Sequence, residues 1–311
     1  MEADAYGPCG RAVRAMVSPL VVGVDGSDHS LRALDWACDE ALRHGVPLRV
    51  VYASLWQRYE GAVPAAGPDR AAERVMAENI AGTAAERVRR RAPRLRVVAE
   101  VLPEDAAGAL LRESRSAFAV VVGHRGRGGL AGLLLGSVGL SVAAGASCPA
   151  VVVRGDEAGV AGTHGRVLLG VGDEAPGSEA VRFAFREARA RGATLDVVRA
   201  WRCPAHEPRG HPLLGGSPAR YHEDLASVVL DRTLEGVAPH HPDVAVRRAT
   251  AEGPARKVLV ARSAAADLLV VGARHRHGGP GMQLGRVAHT VLHHALCPVA
   301  VVPEPEPYPE P

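Results

Sequence analysis

"GVDGSDHSLRALDWACDEALRHGVPLRVVYA" (23–53) and "GVGDEAPGSEAVRFAFREARARGATLDVVRA" (170–200) are two versions of one stretch. At a constant offset of 147, Ala33 matches Ala180, Trp36 matches Phe183, Glu40 matches Glu187, Gly45 matches Gly192, and Val50-Val51 match Val197-Val198. Further on the offset becomes 149, and Val121, Val122, Gly123, Arg125, Gly136, Val138, Cys148 and Pro149 match Val270, Val271, Gly272, Arg274, Gly285, Val287, Cys297 and Pro298. Self-similarity on this scale means two copies of one domain. The expected organisation is a loose segment 1–17, a first domain 18–155, a linker 156–165 within "GDEAGVAGTHG" (155–165), a second domain 166–303 and a Pro/Glu-rich tail 304–311. Alternating proline keeps such a tail extended, because proline has no N–H to give a helix or ladder.

Each copy alternates strand and helix signals. Leu20 to Val24 is an apolar run of strand length, and Ser27 to His44 carries Leu31, Leu34, Ala37, Cys38, Ala41 and Leu42 at helical spacing. Strands are predicted again at 47–53, 95–102, 118–122 and 150–153, and helices at 69–91, 105–116 and 137–146. Unbroken valine runs such as "AVVVG" and "LLVVG" fit strands covered on both faces. The fold class is therefore α/β, each domain an open parallel sheet flanked by helices. The Pro- and Gly-rich loops 54–68 and 202–218 are expected to be surface segments able to cover a site.

Composition excludes several classes of function. No apolar run approaches the roughly 18 residues of a membrane span, and Asp4, Pro8, Gly10 and Arg11 break any leader-like start, so a cytoplasmic protein is expected. The five cysteines form no CxxC pair and read as structural thiols. A net charge of +3 over 311 residues gives no footprint for nucleic acid. The single lysine, Lys257, does not follow glycine, which excludes a P-loop. The basic run "ERVRRRAPRLR" (86–96) reads as the solvated face of a helix with Val75, Met76, Ile80, Ala84 and Val88 inward. His289 and His293 have a zinc-compatible spacing of four but no third ligand, so no metal centre is assigned. Neither a Ser-His-Asp nor a Cys-His set has shared context, and no catalytic residue is assigned.

Chemistry concentrates in "VVGHRGRGGLAGLLLGSVG" (121–139). Gly123 ends one predicted strand and Asp25 ends another, and open parallel sheets bind ligands beyond such ends. Gly123, Gly126 and Gly136 can bring backbone N–H groups close to an anion, with Ser137 expected to cap the following helix, whose N-terminus attracts negative charge. Arg125 and Arg127 add fixed positive charge, and Asp25 can accept from a ribose or hold a phosphate-bound metal ion. The loop fits a nucleotide polyphosphate, against the alternative of a glycine-rich tight turn. An RNA-binding Arg-Gly segment is disfavoured because this run is boxed between strand and helix.

The spacing Gly123-x2-Gly126-x9-Gly136-Ser137 resembles the nucleotide-binding signature of the universal stress protein family. "VVGVDGSDHSLRALDWA" (21–37), "SCPAVVV" (147–153) and their counterparts in the second half extend the resemblance over nearly the whole chain as a tandem. The resemblance implies two five-stranded parallel sheets ordered 3-2-1-4-5, of the Rossmann-like, adenine-nucleotide alpha-hydrolase-like kind. The cofactor it implies is ATP, with magnesium as an optional companion. Adenine and ribose would lie near Gly23, Val24, Asp25 and Ala53, and the phosphates near Gly123, Gly126, Gly136, Ser137 and Val138, with Val122 and Arg125 completing the set. The last strands, "PAVVVR" and "PVAVVP", would pair the halves as an internal pseudo-dimer. A homodimer of the whole chain and a further protein partner are left open.

The second half departs from this pattern at the ligand-facing positions. His275 replaces the second glycine, Arg286 the serine, and Gly172 the position of Asp25. The nucleotide is therefore expected mainly in the first half, while Arg274 and Arg286 can attract another anion. The first half has its own departure, "PEDA" (103–106) against "EGPA" (252–255), where Asp105 is expected to cap a helix. A regulatory nucleotide-binding protein is favoured over a slow ATPase or nucleotidyl-transfer enzyme, because only charge neutralisation is evident in the motif. A nucleotide-free scaffold is the third reading.

Overall fold

Short valine-rich segments with no polar face can only be satisfied between two helical layers, and this condition orders the structure. The computed structural model describes residues 18–55, 68–126, 135–172, 177–203, 218–273 and 284–304. The segment 1–17, most of the loops 54–68 and 202–218, and the tail beyond Glu304 lie outside the described residues.

The first half runs β1 (Leu20–Gly23), α1 (Asp28–His44), β2 (Leu48–Ala53), α2 (Pro68–Arg91), β3 (Val97–Leu102), α3 (Ala106–Glu113), β4 (Ala119–Gly123), α4 (Ser137–Gly145) and β5 (Ala150–Val153). A short helix, α5 (Glu157–Ala161), occupies the linker, capped by the Asp156 carboxylate on Gly159 N–H at 2.8 Å. The second half repeats the order: β6 (Arg166–Val171), α6 (Glu179–Arg191), β7 (Thr194–Trp201), α7 (Pro218–Glu235), β8 (Val246–Glu252), α8 (Ala255–Ser263), β9 (Leu268–Ala273), α9 (Arg286–His294) and β10 (Val299–Pro303). The strands form one ten-stranded sheet ordered β3-β2-β1-β4-β5-β10-β9-β6-β7-β8. Each half thus has the order 3-2-1-4-5, parallel throughout, and the halves join where β5 and β10 pair antiparallel with Ala300 opposite Val151.

The pleat divides the core. Val22, Val50, Val121 and Val151 pack with Ala33, Leu34 and Ala37 of α1 and Ala84 and Val88 of α2, whereas Val21, Val120, Val122 and Val152 pack with Leu110 of α3 and Val142 of α4. Each fully buried valine or leucine contributes about 1.5–3 kcal/mol. Helix α1 begins where the Ser27 hydroxyl accepts from Ser30 N–H at 3.3 Å and ends at Gly45.

The structure corrects the predicted helix faces. Val75 and Met76 are exposed, and the inward stripe of α2 is Ala77, Ala81, Ala84, Ala85 and Val88, small side chains that let the helix lie close to the sheet. On α1, Leu42 is exposed and Glu40 is buried in its place. The arginines of α2 do form a solvated face: Arg87 and Arg91 make two-point contacts with Asp35 and Asp39 of α1, at 2.6–2.9 Å.

Glu40 lies at the seam between the halves, together with its repeat partner Glu187. Arg191 reaches Glu40 at 2.5 Å and Glu187 at 3.3 Å, and His44 reaches them at 3.1 and 3.0 Å. Burial alone would raise the Glu40 carboxyl, but Arg191 and His44 more than offset this and hold it low. Burial would likewise lower His44, yet hydrogen bonds to Glu187 and Glu40 raise it to about 9. Glu40, His44 and Glu187 bring possible metal-ligand atoms within 4.8 Å of one another, but Arg191 already supplies the positive charge there.

Candidate functional site

At the point where the strand order reverses, between the carboxyl ends of β1 and β4, lies a cavity of about 360 Å³. Eleven residues assigned from the sequence line it: Gly23 at the end of β1 with Val24 and Asp25 after it, Ala53 at the end of β2, Val122, Gly123, Arg125 and Gly126 at and after β4, and Gly136, Ser137 and Val138 at the start of α4. Arg127 and residues 128–134 lie outside the described residues. Ser30, Val51, Tyr52, Ala106, Leu110 and Gly139 also line the cavity and had not been assigned. Ala106 and Leu110 stand four apart on α3, a spacing that would have identified them had that helix been placed over the same strand ends.

Asp25 is held in position locally. Its Oδ1 accepts from the Ser27 N–H at 3.0 Å and the Ser27 hydroxyl at 2.6 Å, and its own N–H donates to the Ser30 hydroxyl at 3.3 Å. Gly126 makes room for this carboxylate, and Gly123 for the backbone at the start of α1. A Cβ on Gly126 would stand 2.5 Å from Asp25 Oδ2, and one on Gly123 would stand 2.6 Å from the His29 carbonyl oxygen. Leu110 packs over Gly23, as Leu259 does over the matching Gly170.

The start of α4 differs from expectation. Gly136, not Ser137, is the capping residue, and no side chain caps the helix. Ser137 sits one position inside, and Gly136, Ser137, Val138 and Gly139 line the cavity, so the positive end of the helix dipole lies at its wall. The Arg125 Nε is buried without a hydrogen-bond partner among the described residues. At the other rim, Asp105 caps α3 through Gly108 N–H at 2.9 Å, as expected, and Glu104 pairs with Arg112, which offsets its charge.

The matching cavity of the second half is about 140 Å³, lined by Gly170, Gly172, Val198, Ala200 and Leu259 among others. Arg199, which matches Tyr52, donates to the Gly172 carbonyl there. Arg286 is the first residue of α9, whose start also lacks a side-chain cap. Arg274, His275 and His277 lie outside the described residues. His289 and His293 stack at 4.5 Å on α9, and neither belongs to a group of three possible metal ligands among the described residues.

The model of the universal stress protein family matches residues 16–154 and again 163–303. The chain belongs to this family. A universal stress protein of Mycobacterium tuberculosis (strain H37Rv) is 35% identical over 302 residues, covering 91% of this chain and 96% of its own length. One from Mycolicibacterium smegmatis is 34% identical over 296 residues, with coverage of 91% and 96%. In three dimensions the chain is similar to a universal stress protein from Archaeoglobus fulgidus, with a TM-score of 0.64, 17% identity, and coverage of 92% and 98%. Each of these matches spans more than nine-tenths of both chains. Among the described residues, no helix is long and apolar enough to cross a membrane.

Proposed function

We propose that the first module binds an adenine nucleotide, ATP in the fullest form of the reading, and that occupancy shifts the conformation or assembly of a regulatory protein in the cytoplasm. The observation that carries this is the uncapped start of α4 beside Arg125, at one end of a cavity whose glycines leave backbone exposed. The residues present fit such a ligand. Main-chain N–H groups and a guanidinium can hold phosphate, while the Asp25 carboxylate, fixed by Ser27, lines the cavity where a ribose or a phosphate-bound cation would sit. The second module, with its smaller cavity and with Arg199 on the Gly172 carbonyl, contributes little.

Calorimetric titration of the full chain tests the reading. One ATP per chain is expected, and Arg125→Gln should weaken ATP about tenfold while leaving adenosine unchanged, as the loss of one charge-assisted hydrogen bond predicts. Two equal sites per chain, or equal losses for ATP and adenosine, would overturn it.

A further inference from the structure

Beyond the nucleotide cavity, the row of carboxyl strand ends continues through β4 and β5 to the seam between the modules. There the chain leaves β4 through His124 and β5 through Arg154, and the last turn of α9 meets Arg154. Arg154 donates to the Leu292 carbonyl. His124 lies 4.2 Å, centroid to centroid, from His29 in the first turn of α1, with Nδ1 at 3.3 Å from the Val153 carbonyl. Arg125 belongs to this group and to the cavity alike. His293 approaches Arg154 from the second module, stacked on His289.

Four side-chain nitrogens here are buried with no hydrogen-bond partner among the described residues: His29 Nδ1, Arg125 Nε, Arg154 Nε and His293 Nε2. Folded proteins rarely leave buried polar atoms unpaired, and a cluster of them marks a place for a missing partner. The cluster is also self-repelling. Burial lowers His124 to about 4, with His29, Arg154 and Arg125 adding to the effect. Burial and Arg125 and Arg32 lower His29 against the pull of Asp28 and Asp25, and burial, His289, His294 and Arg154 lower His293. Burial also lowers Arg154, to about 10. Asp156 and Asp267 lie toward the neighbouring Cys297 thiol.

The second module shows what such a place can hold. Glu304, which follows β10, donates its N–H to the carbonyl of Ala273, the residue that matches His124, and sets both carboxylate oxygens on the N–H groups of Glu179 and Ala180 at 3.0 Å. An anion built into the chain thus sits at the corresponding strand ends, where the first module presents His124 and Arg154.

We propose that His29, His124, Arg125, Arg154 and His293 form a phosphate-binding subsite at the seam between the modules. The phosphate comes either from the distal end of the nucleotide in the adjoining cavity, in which case the subsite extends the reading above, or from a separate inorganic polyphosphate. A bound anion relieves the repulsion among the cations and favours protonated imidazole, so binding takes up protons and tightens as the pH falls from about 7.5 to about 5.5.

The test is calorimetry on the full chain with sodium tripolyphosphate, ATP and AMP, in buffers of different ionisation enthalpy. Tripolyphosphate should bind with proton uptake, tighter at the lower pH, and Arg154→Gln should weaken it about tenfold while AMP is unaffected. His293→Gln, a partly buried position in the other module, should weaken it severalfold and serves if Arg154→Gln fails to fold, as judged by ligand-free melting. ATP weakened together with tripolyphosphate identifies the nucleotide's own phosphates as the source. Tripolyphosphate weakened alone identifies a separate anion. If neither ATP nor AMP binds but tripolyphosphate remains sensitive to Arg154→Gln, the subsite stands and the nucleotide reading falls. No binding of tripolyphosphate and no effect on ATP, or indifference of both to both variants, overturns the subsite.

Discussion

Gly123 meets the chain at its least yielding point, since the nearest atoms to an added Cβ are the carbonyl oxygen and carbon of His29, at 2.6 and 2.8 Å. Backbone inside a helix cannot swing away as a side chain can. Gly123→Ala should therefore lower stability by about 1–3 kcal/mol, read as a reduced melting temperature, even before any ligand is added. Gly126 differs, because its added Cβ would meet the end of the Asp25 side chain, so a substitution there displaces the carboxylate first. Asp105 gives a third case. Its carboxylate satisfies one N–H at the start of α3, and Asp105→Ala should cost about 1 kcal/mol in denaturant unfolding with little change in the cavity.

At the scale of helices and strands, the repeat made most of the fold legible. Valine runs at matched offsets can only be paired strands, and the glycines and apolar positions between them placed α1, α4 and their partners. The cavity was legible for the same reason, since Asp25, Gly123 and Gly136 each stand at a strand end or helix start. Less legible was which side of α2 turns inward. Val75 and Met76 are larger and more apolar than the alanines that are buried, but close approach of helix to sheet favours small side chains. Ser137 was misplaced by one position because capping depends on backbone dihedrals that composition does not record. Glu40 and Glu187 were visible as a repeat match, yet nothing local said that His44 and Arg191 would meet them across the seam. The ion pairs between α1 and α2 illustrate the limits of charge at a surface. Arg87 is half-exposed, and Arg87→Ala should change stability by less than about 1 kcal/mol despite its two-point contact with Asp35.

For the molecule as a whole, the buried seam sets the response to pH. His44 is raised from 6.5 to about 9 in the folded chain, so its contribution is complete below 6.5 and disappears as the pH rises through 9. Glu187, raised by burial and by the charge of Glu40 to about 7, acts in the same direction at lower pH, its contribution lost as the pH rises from 4.5 through 7. The melting temperature should fall between pH 7 and 10, and His44→Gln should flatten that decline. A decline unchanged in the variant would locate the titration elsewhere.

The antiparallel join of β5 to β10 has a further consequence. Because one polypeptide supplies both strands, their meeting is a matter of tether length rather than of how many copies are in solution. Thermal unfolding of this seam should give the same midpoint at nanomolar as at micromolar chain, whereas two separate modules meeting through the same strands would come apart on dilution.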